Sequence, residues 1–329
     1  MSRSAPKRNY RSAATEQRLQ FAIANLGSAL DVLLTTPLLE AIRKTHPSSR
    51  ITTIVTRYAA QILDYSPFVN ELMIWPDTRQ NHRSGFSILR KIARRRFNAA
   101  VGFSSSGYLN LGFFLARTPV RIGMLPAAQA WTLTNRIDPS RLALQPHTPE
   151  YFLAAARDLG VEPPPTIKLH YTVTPTEKAA ARMILNRWDV DPEKHSVIAI
   201  HTGTDEGTSN PDVWPPDHFA EVIRQVVVGA GHKVVLIGET YERALGSKLE
   251  SSAASRGLVD LTSRLSFREA AAVIGQSHLL MSNGLLPQYI AGALGIDVVP
   301  VQENHKRLTP PEVIAAIDKR LMKMEHRHG

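Results

Sequence analysis

The chain has 329 residues and no cysteine, and 43% of its residues are hydrophobic and 21% charged. This composition is typical of a globular protein, and the length indicates about two domains. The absence of cysteine excludes thiolate catalysis, disulfides and metal sites with cysteine ligands, and it fits a reducing compartment. No apolar run reaches the roughly 18 residues of a membrane-spanning helix, and the N-terminus lacks the apolar core of a signal peptide. We therefore expect a cytoplasmic protein.

The net charge of +10 is concentrated in three basic segments. Residues 1–18 and 319–329 are both predominantly basic, and the sequence RKIARRR runs from Arg90 to Arg96. Such segments are either solvated surface or a binding surface for an anionic partner, such as lipid or glycolipid phosphates. Because no nucleic-acid-binding motif accompanies the charge, we do not expect nucleic acid as a partner.

In the first half of the chain, predicted strands alternate with predicted helices. Residues 1–18 show no apolar periodicity and are predicted to form a disordered basic arm. An apolar strand is predicted at 19–24, and Asp31 begins a helical pattern after a turn. Further strands are predicted at 51–55, 71–75 and 99–103, and further helices at 59–64, 86–95, 109–116 and 149–159.

A second alternation follows three consecutive prolines at 163–165, which cannot continue a helix. Ser266 and Glu269 have the spacing of a capping box at a helix start. Strands are predicted at 196–201, 233–237, 258–261, 278–281 and 298–301, and helices at 176–188, 218–229, 241–254, 266–275, 287–294 and 311–322. Alternation of this kind indicates parallel sheets covered by helices.

The predicted fold class is therefore α/β, with two Rossmann-like parallel-sheet domains that face a central cleft. The N-terminal domain is predicted at 19–162, a linker at 163–175 and the C-terminal domain at 176–329. Ligands bind beyond the carboxyl ends of the strands in open parallel sheets, so the loops at these ends are the candidate sites. No such loop carries a Walker A or G-x-G-x-x-G motif, which argues against ordinary nucleoside triphosphate and dinucleotide sites.

Asp31 is the candidate catalytic residue. It follows the first predicted strand and lies near the start of a helix. A carboxylate at this position is either a general base aimed into the cleft or a capping residue favoured by the helix dipole. The local pattern leaves both interpretations open.

The loop after the strand at 196–201 is a candidate for binding a phosphate or a sugar. Small residues with backbone N–H groups at a strand end can surround such a ligand. His201 also fits a buried histidine at the end of a strand. The candidate residues are His201, Thr202, Gly203, Thr204 and, further on, Trp214.

A third candidate loop contains Asn283 and Gly284 and precedes a helix at Pro287. A helix start at this place can face a diphosphate, although Leu285 and Leu286 make the loop unusually apolar. No pair of histidine or acidic side chains has metal-ligand spacing inside a predicted element, so no metal site is expected.

The segment from Asn25 to Pro37, NLGSALDVLLTTP, resembles the opening of glycosyltransferase family 9, the ADP-heptose:lipopolysaccharide heptosyltransferases. Similar motifs follow in the order that this family has. They are RIG at 121–123, His147-x-x-x-Tyr151, IHTG at 200–203, WPPDHF at 214–219, VLIG at 235–238, DLT at 260–262, AGALG at 291–295 and LTPPEV at 308–313. The ordered set covers nearly all of 20–322 and is more specific than any single motif.

The resemblance implies a GT-B fold whose C-terminal domain binds most of the donor. It further implies inverting transfer of heptose from ADP-heptose to the lipid A–Kdo inner core, with the nucleotide sugar as co-substrate and no catalytic metal. Asp31 matches the general base proposed for the family. A protein of this kind works at the cytoplasmic face of the inner membrane, where the basic arm and the segment from Arg90 to Arg96 would contact anionic lipid.

The sequence departs from the family pattern mainly on the donor side. A phosphate-pairing lysine before the WPP motif is replaced by Asp212, and the family signature N-D-[ST]-G-P-x-H reads NGLLPQY at 283–289. The loop after Val301 is shortened. In the first loop, Asn25 replaces the family's arginine and Leu30 replaces the glycine before the aspartate.

Two hypotheses follow from these differences. The first is a divergent glycosyltransferase with a rebuilt donor site, which Asp31 and His201 favour. The second is a catalytically impaired relative that serves as a glycan- or partner-binding module. This second hypothesis is favoured by Asp212, Leu285, Leu286 and the shortened loop. Lost charged hydrogen bonds would weaken diphosphate binding by roughly 1.5–3 kcal/mol each.

Overall fold

The computed structural model describes residues 18–76, 82–104, 106–123, 131–138, 144–203, 214–239, 242, 245–249, 257–303 and 306–328. The chain divides into two compact units, Met1–His170 and Tyr171–Gly329. The division falls within the linker predicted at 163–175. Nearly all of the predicted basic arm and most of the helix predicted at 241–254 lie outside the described residues.

The first unit contains a six-stranded sheet in which all neighbouring strands are parallel. Its strands are β1 (Gln20–Asn25), β2 (Arg50–Thr56), β3 (Glu71–Trp75), β4 (Ala99–Gly102), β5 (Val120–Gly123) and β6 (Asn135–Arg136). Their spatial order is β3-β2-β1-β4-β5-β6, so the order reverses between β1 and β4. All residues of β1 after Gln20 are buried, as expected for a strand covered on both faces.

The described helices of the first unit are α1 (Ala29–Leu34), α2 (Thr36–Thr45), α3 (Arg57–Ala60), α4 (His82–Ala93), α5 (Gly107–Leu115) and α6 (Pro149–Leu153). The helix predicted from Asp31 onwards is therefore two helices, which meet at Thr35. Pro37 has no N–H to donate to the Leu33 carbonyl, and the Thr36 hydroxyl donates to that carbonyl instead, at 2.7 Å.

The second unit contains a five-stranded parallel sheet of β7 (Val197–His201), β8 (Lys233–Ile237), β9 (Leu258–Asp260), β10 (Leu279–Ser282) and β11 (Asp297–Pro300). The spatial order is β11-β10-β7-β8-β9. The first strand of this unit in sequence, β7, therefore lies between β8 and β10. In the same way, β1 lies between β2 and β4 in the first unit. A short antiparallel pair, β12 (Gln302–Glu303) and β13 (Lys306–Arg307), precedes the last helix.

The described helices of the second unit are α7 (Pro175–Asn186), α8 (Pro216–Arg224), α9 (Phe267–Ile274), α10 (Leu285–Leu294) and α11 (Pro310–His328), and residues 245–249 are also helical. Gln225–Gly229 continues α8 as a π-helical turn. The predicted capping box of Ser266 and Glu269 is confirmed at the start of α9. Thr174 and Glu177 form a further capping box at the start of α7.

Two parallel sheets with the same strand order confirm the prediction of two Rossmann-like α/β units. In each unit, buried aliphatic side chains from the sheet and its helices form the core. No helix in the described part of the chain is long and apolar enough to cross a membrane.

Candidate functional site

Both sheets bring predicted site residues to the point where the strand order reverses. In the first unit this point lies between β1 and β4, and in the second it lies between β7 and β10. Connections leave opposite faces of an open sheet at such a point, and the crevice between them is where ligands bind. Asp31 follows β1, His201 ends β7, and Asn283 follows β10.

Asp31 lies in the first turn of α1 and completes a capping box with Ser28. The Oδ2 atom of Asp31 accepts hydrogen bonds from the backbone N–H of Ser28 at 3.0 Å and from its hydroxyl at 2.9 Å. The capping interpretation therefore holds for one oxygen of this carboxylate, whose negative charge is also favoured by the helix dipole. The side chain is 9% exposed.

The loop between β1 and α1 is held in place by its own side chains. The amide nitrogen of Asn25 donates to the Asp31 carbonyl and to the Thr35 hydroxyl, and its oxygen accepts from the Gly27 N–H. The hydroxyl of Ser104, which follows β4, accepts a further backbone hydrogen bond from this loop. A Cβ atom on Gly27 would lie 2.5 Å from Oδ2 of Asp31, so a side chain at this position would displace the carboxylate.

The other oxygen of Asp31 contacts His147, with 2.5 Å between Oδ1 and Nδ1. His147 has a φ of 59°, a left-handed conformation that is uncommon for residues other than glycine. Its side chain is 68% exposed, whereas that of Asp31 is 9% exposed. The two side chains therefore link the buried end of the β1 loop to the surface of the first unit.

Tyr151 lies in α6, four residues after His147. Burial, and then the negative charge of Asp31, raise the pKa of Tyr151 above its ordinary value. The phenol therefore stays protonated at neutral pH and can donate a hydrogen bond. The sequence contained a signal for this arrangement, since His147 and Tyr151 share a family-like motif, but neither residue was predicted as part of the site.

In the second unit, His201 is the last residue of β7 and is 8% exposed. Burial lowers the pKa of His201 to about 4, so the imidazole is neutral at pH 7. Its Nδ1 lies 3.5 Å from the hydroxyl of Ser282 at the end of β10. This position matches the interpretation of His201 as a buried histidine at a strand end.

Thr202 and Gly203 follow β7 and lie against the loop after β10. The N–H of Asn283 donates to the His201 carbonyl at 3.2 Å, and the side-chain amide of Asn283 donates to the Gly203 carbonyl at 3.3 Å. The Thr202 hydroxyl is buried and has no hydrogen-bond partner among the described residues. Buried polar atoms of this kind are ordinarily satisfied by water or a ligand.

The structure adds Glu242, which the sequence pattern did not single out. Its side chain is 4% exposed, and its Oε2 lies 3.9 Å from Nε2 of His201. Its Oε1 has no hydrogen-bond partner within the described ranges, and burial raises the pKa of Glu242 to about 7. A Cβ atom on Gly203 or on Gly238 would meet this carboxylate. These two glycines, each shortly after a strand, were the signal in the sequence that another side chain packs at this edge of the sheet.

Gly284 and Pro287 lie at the start of α10. Gly284 is the N-cap residue, and its N–H donates to the Ser282 hydroxyl at 3.2 Å. Leu285 begins the helix and is 49% exposed. The first turn of α10 therefore presents an apolar side chain at a position where the family pattern has a polar one.

Trp214, which was predicted as a donor-site residue, is buried in the core of the second unit. Its side chain has no exposed surface, its indole N–H donates to the Leu308 carbonyl at 2.8 Å, and its ring packs against Phe219. Trp214 therefore acts in packing, and its contact with a nucleotide sugar stays a prediction. Thr204 and Asp212 lie outside the described residues.

A family model described as glycosyltransferase family 9 (heptosyltransferase) matches residues 86–323, which is more than half of the chain. Comparison with curated protein sequences gives no match. Solved structures, in contrast, match the chain over nearly its whole length.

The glycosyl transferase family 9 protein from Veillonella parvula DSM 2008 has a TM-score of 0.81 at 18% identity, over 94% of this chain and 99% of its own. The E. coli ADP-heptose lps heptosyltransferase II has a TM-score of 0.73 at 18% identity, over 93% and 100%. The E. coli heptosyltransferase WaaC with ADP-2-deoxy-2-fluoro heptose has a TM-score of 0.68 at 16% identity, over 93% and 100%. These likenesses confirm the GT-B type of α/β fold, and the family match shows that the chain belongs to glycosyltransferase family 9, the heptosyltransferase family.

Proposed function

We propose that this protein is an inverting glycosyltransferase that moves a sugar from a nucleotide sugar to a glycolipid or glycan acceptor. By resemblance to the family, the donor is ADP-heptose and the acceptor is the lipopolysaccharide inner core. In an inverting displacement, the acceptor hydroxyl must lose its proton as its oxygen attacks the anomeric carbon. The pair formed by the buried carboxylate of Asp31 and His147, beyond the carboxyl end of β1, carries the proposal because it supplies a basic group at a ligand-binding edge.

The second unit supports the proposal with groups suited to a nucleotide sugar. The Thr202 hydroxyl and Oε1 of Glu242 are buried without partners in the described part of the chain, and a ribose or sugar hydroxyl can donate to the carboxylate. Charge that develops on the leaving diphosphate is stabilised by preorganised N–H donors. The proposed donor-binding residues are His201, Thr202, Gly203, Thr204, Asn283, Gly284 and Pro287, and the mechanism assigns no step to a metal or a resident cofactor.

One observation favours the alternative, in which the chain is a catalytically impaired relative that binds a glycan or a partner. Leu285, half exposed at the start of α10, provides no polar contact to a diphosphate. Loss of one charged hydrogen bond weakens binding by roughly 1.5–3 kcal/mol. The two functions therefore differ in whether the second unit still binds a nucleotide sugar.

The basic segment from Arg90 to Arg96 supports peripheral contact with an anionic membrane at the cytoplasmic face. Arg90, Lys91 and Arg94 are exposed near Phe86, which is 61% exposed. Arg95 has a different role, since it donates to Glu71 at 2.5 Å in the first unit. An exposed aromatic side chain among basic residues is typical of a helix that lies on an anionic bilayer.

Calorimetric titration with ADP, ADP-heptose and a panel of UDP- and GDP-sugars tests the proposed function. We expect micromolar binding of one nucleotide sugar and transfer of its sugar to a lipopolysaccharide core acceptor. Binding of acceptor glycan by the folded chain, without binding of any nucleotide sugar, would establish the alternative instead. Circular dichroism of the same sample provides the control for folding.

A further inference from the structure

We propose that His147 takes the proton from the acceptor hydroxyl, and that Asp31 is a positioning residue that orients this histidine and stabilises the imidazolium formed in the step. The inference rests on the proposed function and deepens it, because it names the atom that acts as the base. It differs from the resemblance to the family, which assigns the proton transfer to Asp31 itself.

The Asp31 carboxylate is held by hydrogen bonds within the first unit. Oδ2 accepts from the N–H and the hydroxyl of Ser28, and Oδ1 lies 2.5 Å from Nδ1 of His147. Both oxygens are therefore engaged within the first unit, and the side chain is 9% exposed. An acceptor hydroxyl that bonded to Asp31 directly would have to share Oδ1 with His147, or Oδ2 with the cap of α1, at a carboxylate that is nearly buried.

The contact with Asp31 fixes the tautomer of the His147 ring. With Nδ1 donating to a carboxylate, a neutral imidazole carries its proton on Nδ1 and its lone pair on Nε2. The His147 side chain is 68% exposed and that of Asp31 is 9% exposed. The imidazole that carries this lone pair is therefore more accessible to an acceptor than the carboxylate is. A carboxylate that fixes the tautomer of a histidine, and stabilises the imidazolium that forms, is a recurrent arrangement in base catalysis.

The backbone holds His147 in an uncommon conformation beside Asp31. Its φ of 59° places it in the left-handed region, and Thr148, the next residue, caps α6 through its hydroxyl. Pro149 then begins the helix with a fixed φ. An uncommon backbone conformation that is fixed by the following helix orients the ring towards Asp31, and such conformations concentrate at functional sites.

In the proposed step, one bond forms and one bond breaks at the anomeric carbon. The oxygen of the acceptor hydroxyl forms a bond to the anomeric carbon while its proton passes to Nε2 of His147. The bond between the anomeric carbon and the diphosphate oxygen breaks, and the electron pair leaves with the nucleoside diphosphate. The imidazolium is stabilised by the Asp31 carboxylate and later releases its proton to water. Tyr151, whose phenol stays protonated, adds no competing negative charge to the pair.

The test combines kinetics and NMR on the full chain with the nucleotide sugar that the wild type uses. We expect His147→Gln to lower kcat by about 10²–10⁴-fold with little change in the donor KM. Asp31→Asn should lower kcat by less, and the double variant should be no slower than His147→Gln. Added imidazole should restore part of the kcat of His147→Ala, which a purely structural role would not allow. His195→Gln is the matched control and should keep wild-type kcat. His195 lies just before β7, in the second unit, at the end of the strand that is opposite His201.

A nitrogen-15 NMR spectrum of the ring gives a readout that is independent of turnover. We expect the Nδ1–H tautomer of His147 in the wild type and the Nε2–H tautomer in Asp31→Asn. Two results would overturn this inference while leaving the proposed function intact. One is an Nε2–H tautomer of His147 in an active wild type, and the other is a wild-type kcat in His147→Gln. If the wild type transfers no sugar from any donor, the proposed function fails, and the assignment of a base fails with it.

Discussion

The carboxylate of Glu242 occupies the space that a side chain on Gly203 would need. The glycine follows β7, and the glutamate is buried beside His201 at the same edge of the sheet. The absence of a side chain at Gly203 is therefore what allows a carboxylate to reach the point where the strand order reverses. This relationship links a glycine that the sequence had marked as a site residue to a glutamate that it had not.

Gly203→Ala should destabilise the second unit, because the new methyl group displaces a buried carboxylate. We expect a loss of about 1–3 kcal/mol in the free energy of unfolding, as for other overpacked interiors, measured by urea denaturation. Gly292→Ala is the matched control, since a Cβ atom there meets nothing within 4 Å. In the interior of α10 that change should stabilise by about 0.5–1 kcal/mol. Equal stability of both variants would contradict the packing argument.

Glu242 and His201 should change stability with pH in opposite directions. Burial raises the pKa of Glu242 from 4.5 to about 7, so the folded chain keeps a proton that the unfolded chain loses, and stability falls between these values. Burial lowers the pKa of His201 from 6.5 to about 4. In that case the unfolded chain binds the extra proton, and stability rises from about pH 4 to 6.5.

Glu242→Gln separates these two opposed effects. We expect the stability of this variant, relative to the wild type, to increase from pH 4.5 to pH 7 by an amount on the order of 3 kcal/mol. Denaturation at intervals of half a pH unit measures it. A difference that stays constant over this range would show that Glu242 is ionised at an ordinary pKa in the folded chain.

The ion pair of Glu177 with Arg268 should stabilise the second unit, and this stabilisation should be lost at strongly acidic pH. Hydrogen bonds from Arg268 are the first cause that lowers the pKa of Glu177 from 4.5 to about 2, and the pair makes contacts of 2.5 and 2.8 Å. Between about pH 2 and pH 4.5, the Glu177 carboxylate therefore stays ionised in the folded chain but takes up a proton in the unfolded chain. The resulting stability is complete above about pH 4.5 and is lost as the pH falls through 2.

Glu177→Gln should therefore cost about 1–2 kcal/mol at pH 7, after a discount for partial solvent screening, and much less at pH 2. Glu193→Gln is the control, because this residue pairs with Arg182 at 3.2 Å while 74% exposed. Its loss should change stability by less than about 1 kcal/mol. Equal costs in the two variants would contradict the role of burial.

Ser28→Ala should affect both stability and activity. Removal of a capping hydroxyl costs about 1 kcal/mol, and here it also removes one of the two hydrogen bonds to Oδ2 of Asp31. Ser266→Ala removes the equivalent hydroxyl from the capping box of α9 and should cost a similar amount. Only Ser28→Ala should alter kcat, which transfer assays on both variants will measure.

The exposed basic residues of α4 and the segment after it should bind anionic bilayers. Replacing Arg90, Lys91 and Arg94 by Gln should weaken binding to phosphatidylglycerol vesicles by about 10²-fold at low salt, at about 1 kcal/mol per charge. Sedimentation with vesicles measures the change. The same replacement of Arg182, Arg187 and Arg224, all exposed on the second unit, is the charge-matched control and should have little effect.

His147 shows why part of the site could not be predicted from local patterns. Its contact with Asp31 spans 116 positions in sequence, and no periodicity or cap relates the two residues. Asp31 itself was predictable, because a carboxylate after the first apolar strand and near a helix start is a local pattern. Trp214 was assigned to the donor site through its motif, whereas the packing of its ring against Phe219 buries it.

The sequence by itself determined the elements and their class. Apolar runs predicted most of the strands, and the capping pair of Ser266 and Glu269 predicted the start of α9, because both depend on neighbours within a few residues. Only the tertiary structure decided which loops share an edge of a sheet. Strand order brings β7 beside β10 and Glu242 beside His201, and burial there shifts the pKa of both groups. Such long-range packing has no local signature, and the chemistry of the site depends on it.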